Sequence, residues 1–470
     1  MALFMLLLHI GGALTSVQAV METRTAQGAI AWAISLNTFP YAALPAYWIF
    51  GRTKFNGYVK KRRDGLEETN PQVRRAIEQI HEKEFRAADL GVTGALVERL
   101  AKLPGTVGNE VKLLRNGEEI FPSIFEGIDS ARQYVLVQFY IVRDDDLGRE
   151  LQQHLLAAAR RNVRVHFLYD EIGSYRLPRS YLDALRRGGV QATAFNSTQG
   201  RANRFQINFR NHRKVVVVDG RSAWVGGANV GDEYMGRHPQ LTPWADAMVC
   251  VKGPAVQLIQ VPFLEDWYWS SGELLDLDWT PRSAPSGVSQ TVLCLPTGPA
   301  DRYETCALYF LDAIHSARDR FWVATPYFVP DEQIVSALQL AALRGVDVRI
   351  VVPDDCDQFL VNLSGWSFVQ PMETAGAKIY RYTEGFLHHK AMLVDGYRSA
   401  VGSANFDNRS FRLNFEMTVE VQDETFAREV EKMFLDDFAA SRVSSAAELD
   451  ARSFPFRLAV RVARLLAPVQ

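Results

Sequence analysis

Cysteine is scarce in this sequence. There are four in 470 residues, Cys250, Cys294, Cys306 and Cys356, far apart and with no C-x-x-C pair. That argues against a disulfide framework or a thiolate zinc site and favours reduced, buried thiols in a cytosolic setting. No G-x-x-x-x-G-K-[ST] phosphate loop occurs, so the chain lacks that means of holding a nucleoside triphosphate. No His, Cys and carboxylate cluster stands at metal-ligand spacing, and neither a metal nor another cofactor is expected. Positive charge is not in excess either: 52 Lys and Arg against 54 Asp and Glu give a formal net charge of −2. That balance argues against a nucleic-acid binder coated in basic residues.

Histidine is also sparse, but two of the nine share one context. Residues 212–229 read His212-x-Lys214-x4-Asp219-x6-Gly226-Gly227-x-Asn229. Residues 388–405 read His388-x-Lys390-x4-Asp395-x6-Gly402-Ser403-x-Asn405. One His-x-Lys-x4-Asp is a weak signal; two copies that agree on a downstream Gly-small-x-Asn are not accidental. Val215–Val218 and Ala391–Val394 are apolar runs suited to buried strands. Each ends in Asp-Gly before a second apolar stretch, which predicts a tight hairpin. His and Lys two residues apart share one strand face, and the return strand brings Asn229 back near His212, and Asn405 near His388.

That trio suits a phosphate diester. A neutral imidazole can attack phosphorus, and a protonated one can hand a proton to the leaving oxygen. Lysine neutralises non-bridging oxygens, and the Asn amide adds a hydrogen bond where charge builds up. Each copy supplies one histidine, so the chemistry needs both copies facing each other. Each motif is followed by a carboxylate in a strand-like run, Asp246 and Glu416, suited to orienting an imidazole through its far nitrogen. Asp219 and Asp395 belong to the motif but sit at the turns, where bracing a loop is a better expectation than touching substrate. His389 points to the opposite strand face from His388 and reads as structural.

At these residues the sequence resembles the phospholipase D superfamily, and the surrounding words resemble bacterial cardiolipin synthases. The relevant stretches are Asn208–Lys214, Gly226–Tyr234, Phe263–Trp267, Gly385–Lys390 and Gly402–Phe411, and the likeness runs along the whole chain. The resemblance implies a phosphatidyltransferase with phosphatidylglycerol as phospholipid substrate, cardiolipin and glycerol as products and a phosphohistidine intermediate. It also implies His212 as the nucleophile, with His388 the alternative because the two contexts are nearly symmetric. Hydrolysis by water, or phosphatidylethanolamine as donor, would use the same residues. The D-G-x-x-A-R stretch of metal-dependent CDP-alcohol transferases, which make the same lipid by another route, is missing.

The repeat extends beyond the motifs. Ile128–Arg132 before Tyr134–Tyr140 is echoed by Ile314–Arg318 before Phe321–Tyr327. Phe263-Leu264-Glu265-Asp266-Trp267 is echoed by Phe434-Leu435-Asp436-Asp437-Phe438. Helix, strand, helix, strand and motif hairpin in each half read as an α/β fold of two similar halves about a pseudo-two-fold axis. The first half is placed at residues 109–280 and the second at 288–445, with a boundary near Pro281–Gly287. Trp267-Tyr268-Trp269 reads as core packing, and the Asp407–Arg409–Ser410 stretch is a candidate for contact with lipid headgroups.

The chain ends carry other information. Residues 2–20 are nearly all apolar, and 28–50 form a second apolar segment broken by Pro40 and Pro45. Residues 1–50 are therefore expected as a membrane hairpin, with a signal peptide ending near Ala19 or a re-entrant second segment as alternatives. The basic residues Arg52, Lys54 and Lys60–Arg63 place the following end, within a linker at 51–108, on the cytoplasmic side. The expectation is a multi-pass protein of the bacterial inner membrane with a cytoplasmic catalytic region. At 446–470 the arginines Arg457, Arg461 and Arg464 share one stripe of an amphipathic helix. Such a helix suits an anionic membrane interface, or docks on the protein surface. Oligomeric state is not readable.

Overall fold

The computed structural model describes residues 2–51, 55, 58, 71–195, 208–239 and 241–470. The basic residues Arg52, Lys54 and Lys60–Arg63 lie outside the described residues.

Each half is built from parallel strands followed by a hairpin. In the first half, Tyr134–Phe139, Arg164–Asp170 and Gln191–Phe195 pair in parallel. Helices Asp146–Arg160 and Arg179–Arg187 make the crossovers that parallel pairing requires. The hairpin Val215–Val218/Ser222–Gly226 then joins antiparallel to Tyr134–Phe139. Ala247–Lys252 and Thr106–Arg115 complete the half.

The second half repeats this plan with Arg320–Ala324, Asp347–Pro353 and Lys378–Tyr382, the hairpin Ala391–Val394/Arg398–Gly402, and then Asn414–Gln422 and Gln290–Thr297. The first strands of the two halves pair antiparallel with each other, Thr106 opposite Val292 and Asn109 opposite Gln290. One sheet therefore crosses the molecule, and its strand order reads the same from either end apart from an added edge strand, Ser441–Val443. The segment from Gly272 to Ser289 that links the halves holds no helix or strand.

Both motif hairpins close through three residues, one more than a minimal Asp-Gly turn, with Val218 opposite Ser222 and Val394 opposite Arg398. Asp219 and Asp395 adopt left-handed backbone there, φ 51° and 54°. Their carboxylates accept main-chain N–H groups: Asp219 from Arg132, Gln133 and Tyr134 at 2.8 Å, Asp395 from Arg318, Asp319 and Arg320 at 2.9–3.2 Å. Each Asp thus ties its hairpin turn to the start of the neighbouring parallel strand. Helix Ala255–Ser271 runs through the core, with Trp267 and Trp269 buried.

At the N-terminus, Ala2–Glu22 forms a helix long and apolar enough to cross a membrane. The second apolar segment does not form another, which corrects the multi-pass expectation. It breaks at Phe39 into Ala26–Thr38 and Pro40–Ala46, followed by a wide turn at Tyr47–Gly51. Pro40 takes the first position of a new helix, where its missing N–H leaves no helical acceptor unsatisfied. The 13 residues of Ala26–Thr38 extend about 20 Å, short of a hydrocarbon core of about 30 Å. These pieces pack on the first helix through Gly12, where a Cβ would meet Leu36 O at 2.1 Å.

Helix Phe454–Arg464 docks through Val460 and Ala463 against Phe359–Trp366. Its opposite side leaves Leu458, Val462 and Leu465 exposed, flanked by Arg457 and Arg461.

Candidate active site

The two motifs meet at the seam between the halves. The short strand Arg210–Asn211 leaves its own half and pairs in parallel with Asn414–Phe415, and His212 N donates to Phe415 O at 2.9 Å. In mirror fashion, Phe386–Leu387 pairs with Trp244–Ala245, and His388 N donates to Ala245 O at 2.7 Å. Each histidine is therefore held on the strand that carries the other half's carboxylate. His212 Nδ1 lies 2.9 and 3.0 Å from the Glu416 carboxylate, and His388 Nδ1 lies 2.7 Å from Asp246. Both carboxylates are fully buried, while each imidazole keeps a small exposed edge. With Nδ1 engaged, Nε2 is the nitrogen His212 offers to a substrate, while Nε2 of His388 lies 3.1 Å from Lys390 Nζ.

Burial sets the charges. It pushes the His212 imidazole down to about 4 and, with Lys390 beside it, His388 to about 3. Burial alone would raise both carboxyls, yet His212 holds Glu416, and His388 holds Asp246, below the ordinary range. The lysines are buried too: Lys390 is pushed down to about 8 and Lys214 well below its usual value. Lys390 Nζ touches both ring nitrogens of His388, at 2.9 and 3.1 Å, and Lys214 Nζ donates to His212 O at 2.6 Å. Near neutral pH both imidazoles are therefore uncharged and both carboxylates anionic, with the lysine amines buried beside them. A phosphate anion beside them would favour the charged form of both lysines and of the imidazoles.

The family model described as "Cardiolipin synthase, PLD-like domain" matches residues 124–267 and 310–438. Cardiolipin synthase A of Pseudomonas fluorescens (strain SBW25) is 46% identical over 479 residues, covering 100% of this chain and 98% of the relative. Cardiolipin synthase A of Pseudomonas putida (strain GB-1) is 46% identical over 474 residues, covering 98% and 97%. The chain belongs to the cardiolipin synthase family. Phosphatidylserine synthase of Haemophilus influenzae Rd KW20 shares the fold, with a TM-score of 0.59 at 16% identity over 80% of this chain and 100% of that one.

The two copies of the cardiolipin synthase motif differ in detail. Asn229 is tied, its Oδ1 accepting from Ile141 N at 3.0 Å and its Nδ2 donating to the Tyr234 hydroxyl at 2.7 Å. Asn405 donates its main-chain N–H to Ser410 Oγ, and its buried Oδ1 has no partner among the described residues. Ser403 Oγ donates to Glu416 at 2.5 Å, and its carbonyl oxygen lies 3.1 Å from His212 Nδ1. Gly227 stands in the equivalent place beside Asp246, where a Cβ would come within 2.2 Å of Asp246 Oδ1. A small residue is needed at both positions, but only the serine adds a donor.

Sequence reasoning missed one pair of positioning residues. Asp266, fully buried, accepts from Arg213 at 2.7 Å and from Gln138, Asn211 and the Tyr58 hydroxyl at 2.8 Å. Asp437 lies 2.9 Å from His389 Nε2. Each anchors the residue between the motif's His and Lys, and so fixes the strand that carries both. The signal was present as the echo of Phe263–Trp267 in Phe434–Phe438, but helical spacing does not reveal a partner on a distant strand. The four cysteines are free, and burial pushes the Cys250 thiol up to about 11 and Cys294 up to about 12. Among the described residues no three His, Cys, Asp or Glu gather as a metal-binding group.

Proposed function

We propose that this chain transfers a phosphatidyl group from one phosphatidylglycerol to another, giving cardiolipin and glycerol. The observation that carries the reading is the exchange of carboxylates across the seam, which gives one site two oriented imidazoles. His212 Nε2 attacks the phosphorus of the first lipid while His388, which takes up a proton at Nε2 once the lipid's phosphate anion lies beside it, passes that proton to the departing glycerol oxygen. Glu416 on the far nitrogen stabilises the positive charge that His212 gains as phosphorus bonds to it. The hydroxyl of the second lipid then loses its proton to His388 and attacks, and the P–N bond breaks. Lys214 and Lys390 neutralise the non-bridging oxygens throughout, and the Asn405 amide donates a hydrogen bond to them. One phosphodiester is broken and one is made, so no nucleotide is consumed.

Helix Ala2–Glu22 anchors the protein in the bacterial inner membrane, with the catalytic halves on the cytoplasmic side. The exposed apolar ridge of Phe454–Arg464, with its flanking arginines, suits an anionic lipid surface. There is no role for nucleic acid. Lipid analysis of purified protein reacted with phosphatidylglycerol alone tests the reading: cardiolipin and free glycerol are expected, and added glycerol should drive the reaction backwards. Phosphatidic acid as the dominant product, with no effect of glycerol, would replace it with a hydrolase. Cardiolipin made only after phosphatidylethanolamine is supplied would change the donor.

A further inference from the structure

The transfer proposed above handles two anionic lipids at once, yet the motif residues form one phosphate site. When the terminal hydroxyl of the acceptor headgroup reaches phosphorus at His212, the acceptor's own phosphodiester lies three carbons further out. A second cationic surface is needed there, close to His212 but outside the buried lysines.

Arg210 and Arg409 occupy that position. Arg210 lies two residues before His212, on the strand that crosses to the second half. Arg409 comes from helix Asn408–Arg412 of that half and reaches back across the seam, donating to Asn208 O at 2.5 Å and to Asn208 Oδ1 at 3.1 Å. Arg210 donates to Phe209 O at 2.9 Å and reaches the Tyr140 hydroxyl. The Tyr140 ring stands edge-on to His212 at 4.9 Å, and Lys214 Nζ lies 5.4 Å from its centre. Tyr140 thus separates the buried phosphate site from the arginine pair by the width of one phenol.

Both guanidinium residues are partly exposed, unlike Lys214 and Lys390. Burial and the neighbouring Arg210 charge push Arg409 below its ordinary range. Asp407 and Asp170 are nearby carboxylates, Asp407 accepting Ser410 N at 2.7 Å and Asp170 the main-chain N–H groups of Asn211, Ile172 and Gly173 at 2.8–2.9 Å. We infer that Arg210 and Arg409 form the subsite for the phosphodiester of the acceptor phosphatidylglycerol, and in the reverse reaction for the second phosphate of cardiolipin. Two forked guanidinium groups suit the non-bridging oxygens of a diester better than ammonium groups would.

This inference rests on the transferase reading, and one experiment separates the two. The full-length enzyme, Arg210→Gln, Arg409→Gln and Arg409→Lys are each given phosphatidylglycerol in vesicles with labelled free glycerol. Cardiolipin formation and label exchange into phosphatidylglycerol are both measured. Exchange uses the same donor and the same phosphohistidine, but its acceptor carries no phosphate. Each Gln variant should lose cardiolipin formation by about tenfold or more while exchange changes by less than about threefold. Arg409→Lys should fall between wild type and Arg409→Gln. Equal loss of both reactions would overturn the acceptor subsite, as would no loss of either. A wild-type enzyme that yields only phosphatidic acid would instead overturn the transferase reading, and the subsite with it.

Discussion

The Glu416 carboxylate of the second half lies 2.9 Å from Nδ1 of His212, a residue of the first half 204 positions away. Asp246 returns the relationship to His388 at 2.7 Å. Neither motif histidine takes its carboxylate from its own half. In the proposed mechanism the two imidazoles have different tasks, and only one of those tasks depends on the leaving group.

Glu416→Gln and Asp246→Asn should each lower turnover on phosphatidylglycerol by about 10³–10⁴-fold, the loss expected when an imidazole keeps its place but loses its carboxylate. A phosphatidyl ester of p-nitrophenol, whose leaving group needs no proton, should separate them. The first burst of nitrophenol should return in Asp246→Asn and His388→Ala but not in Glu416→Gln. Recovery in Glu416→Gln alone would exchange the roles of the two histidines.

Gly227→Ala should damage the site more than Ser403→Ala. The added methyl would sit 2.2 Å from Asp246 Oδ1, so the carboxylate must move and His388 with it. A cost of about 1–3 kcal/mol in stability is expected, with a larger fractional loss in kcat. Ser403→Ala removes one hydrogen bond to Glu416, a loss of about 1 kcal/mol with little steric change. Thermal melts and kcat for both variants test the order, and a Gly227→Ala enzyme with normal kcat would contradict it.

Stability should fall with acid in a particular window. Both site imidazoles have folded-state values below the unfolded value of about 6.5, so the unfolded chain binds more protons there. Their contribution is complete above pH 6.5 and is lost as pH falls through about 4 for His212 and about 3 for His388. The lowered carboxyls of Asp246 and Glu416 act in the same direction at lower pH. In detergent, Tm should drop steadily below about pH 6.5, and replacing both histidines with Asn should flatten that slope. An unchanged slope would place the acid-sensitive groups elsewhere.

Leu458→Asp with Val462→Asp should lower cardiolipin synthesis on anionic vesicles without lowering Tm, since both side chains are exposed and face away from the docked side. Equal synthesis by the variant and wild type on vesicles rich in anionic lipid would remove the C-terminal helix from membrane binding.

Much of this was legible in the chain because it is local. Val215–Val218 and Ala391–Val394 are strands, and both hairpins turn at Asp-Gly, because β-branched and apolar runs beside turn residues carry their own instructions. The exchange of Asp246 and Glu416 was not legible, since strand periodicity gives the face of a residue and not the identity of the strand opposite. Asp266 and Asp437 stood in a visible repeat, but their partners Arg213 and His389 lie on other elements. The second apolar segment misled for a related reason. Hydropathy adds along 28–50, whereas the break at Phe39-Pro40 depends on one missing N–H.

The antiparallel pairing of Thr106–Arg115 with Gln290–Thr297 has a mechanical consequence. Enzymes that close on a substrate by swinging two domains need a flexible hinge between them. Here the same sheet continues through the join, and the short strands beside His212 and His388 stitch it twice more. Opening the site by rotation would tear main-chain hydrogen bonds at three places. A substrate must therefore come to a slot that is already formed, since the join between the halves leaves little freedom to close around it.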